Sequence, residues 1–184
     1  MYAILAEDPS DANTLKAIVR RLAGNDRLPI RTKGYSGGSE MLRKGAAQLK
    51  LFAALDCSRF IVCHDADGPD PTESYGKVTG RIVGPSGVQP CCIVIPVQEL
   101  EAWLLADIEA VSHLITSWRP KPIPNPEAID SPKEHLEKLS RKSNQRPRYV
   151  HAIHNERLAL HIDLMKVAKK CPSFKTLADF VRLN

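Results

Sequence analysis

The sequence predicts an α/β protein: a doubly wound, mainly parallel sheet of four strands with a helical C-terminal extension. Three observations carry that reading. Over residues 1–116, short apolar runs rich in β-branched residues alternate with segments of helical period. Three of the four predicted strands end in carboxylates: Glu7, then Asp65 and Asp67, then Glu99 and Glu101. Ligands of parallel sheets sit beyond the carboxyl ends of the strands, and scattered surface acids would not favour those ends. Residues 117–132 then carry Pro120, Pro122, Pro124, Pro126 and Pro132, after which only helical periodicity remains. The chain therefore divides into a sheet-bearing part, 1–116, and a proline-rich connection with a helical extension, 117–184, packed on it.

Residues 2–6 form the first strand, ending at Glu7. Asp8-Pro9-Ser10-Asp11 turns into a helix, with Ser10 as the expected N-cap and Asp11 complementing the dipole from the first turn. Leu15, Ile18, Val19 and Leu22 give its apolar stripe and Gly24-Asn25 its stop. Residues 29–35 form a second strand whose thin apolar content places it at an edge. Ser39 caps a helix from about Glu40 to Ala54, with Leu42, Ala46, Leu49 and Ala53 at helical spacing. Residues 59–64 form the third strand, which runs into Asp65-Ala66-Asp67-Gly68. Gly68-Pro69-Asp70-Pro71 breaks the chain before a helix to about Val83, and Gly84-Pro85-Ser86-Gly87 turns it. The β-branched run from Cys91 to Val97 is the fourth strand. Leu100, Trp103, Leu104, Ile108 and Val111 mark one amphipathic helix, or two short ones hinged near Asp107. Pro132-Lys133 opens a helix to about Lys142, and residues 149–182 are helical with a break at Cys171-Pro172-Ser173.

With 184 residues and 43% hydrophobic content, the chain is long enough for one domain with a real core. No apolar run approaches the ~20 residues of a membrane span. The apolar start, Met1 to Ala6, lacks a basic region and meets Glu7-Asp8, which argues against a signal peptide. Five cysteines form no Cys-x-x-Cys pair and sit in apolar settings, as expected of reduced thiols in a cytoplasmic protein. A net charge of +5 is compatible with an anionic partner such as nucleic acid. Basic residues thicken at Arg141-Lys142, at Arg146 and Arg148, and at Lys166, Lys169 and Lys170. The last three form either a solvated helix face or a grip on a phosphate backbone.

Extended backbone would put Asp65 and Asp67 on one side, a few ångströms apart. Carboxylates that close resist ionising together unless a cation lies between them, and hard oxygen ligands suit Mg²⁺ or Mn²⁺. Asp-x-Asp-Gly alone is equally an ordinary turn. An EF-hand is excluded, because Asp70 occupies the position where that loop needs glycine. A phosphatase with Asp65 as nucleophile is chemically available, but the pair would then follow the first strand of its core. Glu7 is either a site residue or a charge beside a helix start. Glu101 sits at a helix start between Leu100 and Trp103, away from a solvated face. Asp107 reads as a hinge residue, and His64 as a neighbour that packs behind the aspartates. His151, His154 and His161 suggest a solvated or nucleic-acid-facing surface more readily than a zinc site.

Glu7 after a strand, with Pro9-Ser10-Asp11 entering a helix, resembles the first motif of TOPRIM (topoisomerase–primase) domains; Asp8 stands where that motif usually has glycine. Asp65-Ala66-Asp67-Gly68 resembles the Asp-x-Asp motif of the same superfamily. The run from Glu99 to Asp107 is similar to small stand-alone bacterial TOPRIM-like proteins, akin to the nuclease half of the OLD family and to RloB-type proteins. Pro132-Lys133, Ile162-Asp163-Leu164 and Cys171-Pro172-Ser173-Phe174 extend that similarity into the tail.

The resemblance implies a Rossmann-like TOPRIM fold whose acidic centre binds Mg²⁺ or Mn²⁺ and acts on phosphodiesters of DNA or RNA. Glu7 would bind metal or act as general acid or base, Asp65 and Asp67 would coordinate metal, and Glu101, with Glu99 as second candidate, would complete the set. Tyr35 and Tyr75 do not stand out as nucleophiles, so water is expected to attack. Such relatives work in phage defence, sometimes beside an ATPase. This chain has no Gly-x-x-x-x-Gly-Lys-Ser/Thr loop, so an ATPase would be a separate protein. The expected function is a metal-dependent nuclease. The alternatives are a TOPRIM-fold binding or regulatory subunit active only with a partner, and a small-molecule phosphohydrolase.

Overall fold

A computed structural model describes residues 1–114, 121–142 and 145–182. The expected boundary at 116/117 and Pro120 lie outside the described residues. Strands β1 (Tyr2–Ala6), β2 (Ile30–Gly34), β3 (Arg59–Cys63) and β4 (Cys91–Val94) form one all-parallel sheet in the order β2-β1-β3-β4. Every residue of central β1 is buried, whereas β2 alternates between partly buried and exposed residues at the edge, as its composition predicts. β4 stops at Val94 rather than Val97. Beyond it Pro96 lacks an N–H for a ladder, and the chain zips irregularly onto the segment after β3. Ala66 N–H donates to Pro96 O at 3.0 Å, Asp67 N–H to Gln98 O at 3.0 Å, and Gln98 N–H to Gly68 O at 3.1 Å.

Helix α1 (Pro9–Leu22) is capped by Asp8, not Ser10: Asp8 Oδ1 accepts from the N–H groups of Ser10 at 2.6 Å and Asp11 at 3.0 Å. Pro9, which has no N–H to satisfy, fits the first helical position. Helix α2 (Gly38–Ala54) has Gly37 at its cap, two positions before the expected Ser39. Helix α3 (Thr72–Val78) continues through a wide π turn, Thr79–Val83, and a last turn α4 (Gly84–Ser86), which Gly87 closes at φ 67°. After β4 come α5 (Glu101–Leu105) and α6 (Ile108–Leu114), two short helices hinged at Asp107. A 3₁₀ turn (Pro126–Ala128) precedes α7 (Pro132–Ser140), α8 (His151–Ala159), α9 (Leu164–Lys170) and α10 (Pro172–Arg182). Among the described residues no helix is long and apolar enough to cross a membrane.

The sheet is covered on both faces, as parallel sheets require. On one face Ala3, Leu5 and Val62 pack with Met41, Leu49 and Phe52 of α2 and with Ile82. On the other, Ile4, Ile61 and Val94 share a core with Leu15 and Ile18 of α1, Trp103 of α5, and Leu158, Val167, Phe174 and Leu177 of the extension. The extension is thus part of the main core. Directional contacts fasten it. Trp103 Nε1 donates to Ser173 Oγ at 2.8 Å and its ring meets Phe174 edge-on at 5.1 Å. Arg21 donates to the carbonyls of Ala159 and Ile162, each at 2.7 Å.

Candidate functional site

Strand order reverses between β1 and β3, the switch point at which doubly wound sheets open a crevice. Glu7 and Asp65 stand at its two sides. Glu7 Oε1 accepts from Asp65 N–H at 2.7 Å and lies 3.0 Å from Nδ1 of buried His64. His64 therefore packs directly on Glu7, and its Nδ1 also lies 2.7 Å from the Asp65 carbonyl oxygen. Glu7 receives a further backbone hydrogen bond from Gly38 at the start of α2. A Cβ on Gly38 would fall 2.8 Å from Glu7 Oε2 and 2.9 Å from His64 Nε2, so any larger residue there must displace those two side chains. Gly34 has the same role behind the β1–α1 turn, where a Cβ would meet Pro9 N at 2.3 Å.

The third and fourth strand ends are joined through Asp65, whose Oδ1 accepts from Leu100 N–H at 3.1 Å. Glu101, buried in the first turn of α5, accepts from Asn155 Nδ2 of α8 at 3.0 Å, with the Tyr149 hydroxyl 3.5 Å away. Glu99 accepts from Lys133 N–H at 2.8 Å, at the start of α7. The shared strand face expected of Asp65 and Asp67 is not formed. β3 ends at Cys63, and Asp67 adopts φ 51°, so the two aspartates do not lie on one extended strand. Asp65 turns inward, while Asp67 is exposed on the rim.

Asp11, assigned from sequence to the dipole of α1, is buried and belongs to the cluster. Its carboxyl is pushed up to about 8 by burial, reinforced by the charges of Asp8, Glu101 and Glu7 and opposed by Lys133. Burial also raises Asp65 well above the usual carboxylate range, with Asp11, Glu101, Glu7 and Asp67 adding to it. Glu7 is raised by burial against the pull of His64 and its backbone donors. Glu99 is raised by burial and held back by Lys133. Asp11 was legible in one respect. Side chains in a helix lean toward its N-terminus, so an acid in the first turn after a strand points back to the strand end.

Glu7, Asp11, Asp65 and Glu101 form an inner set, with Asp67 and Glu99 on the rim. Among the described residues, no three His, Cys, Asp or Glu side chains stand together as a ready-made ligand set. The acids are turned to protein donors instead. The donor chemistry does fit Mg²⁺ or Mn²⁺: four hard carboxylates that raise one another's proton affinity crowd one crevice, with His64 packed on Glu7 and the Lys133 cation near Asp11.

The other candidates fare differently. His161 lies beyond the end of α8, so the three histidines do not share a helical face, and His154 Nδ1 sits 2.9 Å from Val150 N. Lys166 Nζ pairs with Asp107 at 2.9 Å and Lys170 Nζ donates to Ala106 O at 2.7 Å, tying α9 to the α5–α6 hinge. Tyr35 is buried with its hydroxyl unpartnered among the described residues and its phenol pushed up to about 12 by burial, and Tyr75 is exposed. Tyr149 is the tyrosine at the cluster; burial and the Glu101 charge raise its phenol, which disfavours a phenolate.

Fold and site define a doubly wound α/β protein with a carboxylate cluster at the switch point of its sheet. Within that class, the chain belongs to the family described as Domain of unknown function (DUF4276), matched over residues 6–182, a span that holds every acid of the cluster and the extension through α10. No curated protein and no solved structure matches the chain.

Proposed function

We propose that the protein is a TOPRIM-type nuclease that hydrolyses phosphodiester bonds of DNA or RNA with Mg²⁺ or Mn²⁺. The observation that carries the proposal is the gathering of Glu7, Asp11, Asp65 and Glu101 at three neighbouring strand ends into one set, with Asp11 and Glu101 buried and Glu7 and Asp65 partly so, whose charges raise one another's proton affinity. These four would hold the ion, with Asp67 and Glu99 reaching in from the rim. The bound ion supplies charge neutralisation at the phosphate and activation of water. The chain's own residues prepare that chemistry. His64 and the Asp65 N–H hold Glu7, the Leu100 N–H holds Asp65, and Lys133 brings positive charge beside Asp11 and Glu99 for a phosphate oxygen. A net charge of +5 suits a nucleic-acid substrate, and free thiols suit a cytoplasmic location. A role in phage defence, beside a separately encoded ATPase, follows from the resemblance of the motifs.

One observation favours a second reading, a subunit active only with a partner: the acids are engaged by protein donors and need side-chain rotation to converge. Purified protein is to be incubated with plasmid, single-stranded DNA and tRNA, with and without Mn²⁺. Cleavage that needs Mn²⁺ and is lost in folded Asp65→Ala supports the nuclease. Cleavage that survives Asp65→Ala overturns it, and Mn²⁺ binding without cleavage of any substrate supports the partner-dependent subunit.

A further inference from the structure

On the metal reading above, we infer that Asn155 and Tyr149 of the helical extension are positioning residues, which hold the Glu101 carboxylate in place at the crevice. Asn155 and Tyr149 are both fully buried, so neither side chain serves solubility. The Tyr149 hydroxyl donates to Asn155 Oδ1, and Asn155 Nδ2 donates to Glu101 Oε1 at 3.0 Å. That relay has a direction. A hydroxyl that donates to the amide oxygen fixes which way the amide faces, and the NH₂ must then face Glu101. A donor on that side engages Oε1 and sets how the carboxylate is turned.

The relay is itself anchored. Ser140 Oγ accepts from Tyr149 N–H at 2.9 Å and from Arg148 N–H at 3.1 Å, and it donates to Glu137 O at 2.8 Å. At the other end Ser10 Oγ donates to His151 O at 3.0 Å, which ties the start of α8 to the helix that carries Asp11. Nothing else among the described residues donates to the Glu101 carboxylate. Hydrogen-bonded partners behind a ligand typically govern metal affinity about 10–100-fold.

The test is Mn²⁺ affinity by calorimetry at a temperature where all variants are folded. Asn155→Ala and the isosteric Asn155→Asp should weaken Mn²⁺ binding by about tenfold to a hundredfold, and Tyr149→Phe, which keeps the ring, by several-fold. A purely structural role would lower the melting temperature and leave the affinity of folded protein alone. The double variant separates the two. In a Glu101→Gln background, Asn155→Ala should produce no further loss of Mn²⁺ affinity, because its effect runs through that carboxylate. Wild-type binding that both Asn155 variants and Tyr149→Phe leave unchanged overturns the inference alone, as does full additivity with Glu101→Gln. Wild-type protein that binds no Mn²⁺ overturns the metal reading and this inference with it.

Discussion

Removing one acid from the cluster should make the metal-free protein more stable, and Asp11→Asn is the sharpest case. Asp11 is buried, and its carboxyl is pushed from an ordinary 3.8 to about 8. A tenfold change in proton affinity corresponds to about 1.4 kcal/mol, so full ionisation of the folded protein carries a penalty of up to about 6 kcal/mol. Neighbouring acids share that penalty and relax when one is neutralised, so a single substitution should recover about 2–4 kcal/mol at pH 8. For a chain of this size that raises the melting temperature by upwards of about 5 °C. The pH dependence has a definite sign. Below about pH 4 Asp11 is protonated in both states and the penalty is absent. As pH climbs toward about 8 the unfolded chain ionises first, so stability falls through that window and levels off above it. Urea denaturation with EDTA between about pH 5 and pH 9 reads both effects. The reasoning is refuted if Asp11→Asn is no more stable than wild type at pH 8, or if the two proteins show the same slope against pH. Added Mn²⁺ should stabilise the wild type more than the variant.

Gly38→Ala should displace Glu7 and His64, since its Cβ would come within 2.8 Å of one and 2.9 Å of the other. An overpacking penalty of about 1–3 kcal/mol in thermal unfolding should accompany weaker Mn²⁺ binding in calorimetry. Lys133→Met removes the cation beside Asp11 and Glu99; phosphodiester cleavage should fall by about 10²-fold, while Mn²⁺ affinity is kept or improved. Trp103→Ala should lose about 3–5 kcal/mol in urea denaturation, because it empties a fully buried site and breaks the bond to Ser173.

The sheet was legible because each strand is a short apolar run with a polar end, and those ends are where Glu7, Asp65, Glu99 and Glu101 fall. Edge β2 announced itself by Arg31 and Lys33 alternating with less polar neighbours. Asp11 was obscured by a shift of two residues in the cap. With Ser10 as cap it is the first helical residue, whereas with Asp8 as cap it is the third, and it is buried. The direction of Asp67 depends on a left-handed φ that Gln98, itself at φ 60°, helps to fix from another loop, and neither residue type demands it. β4 ends short of its β-branched pattern, which Ile95 and Val97 carry on either side of Pro96. Asn155 and Tyr149 left no local trace at all, since their partner lies some fifty residues earlier in the chain.

The cluster also explains why the extension cannot be a passive appendage. A parallel sheet needs cover on both faces, and on the face of Ile4, Ile61 and Val94 that cover comes jointly from α1, α5 and the extension. The same face supports the acids: α1 carries Asp11, α5 carries Glu101, and α8 supplies the donor to Glu101. Ionising these crowded carboxylates together would push the helices apart. Apolar packing of Leu158, Val167, Phe174 and Leu177 against Leu15, Ile18 and Trp103 holds them together. Residues kept in a repulsive arrangement persist only where the surroundings over-determine them. The extension supplies that surplus: Arg21 donates to two carbonyls at and just after the end of α8 and Ser10 to one at its beginning, so α1 and α8 are tied at both ends. Crowding at the strand ends and cohesion beneath them are therefore one design, in which the extension, which carries none of the clustered acids, keeps those acids together.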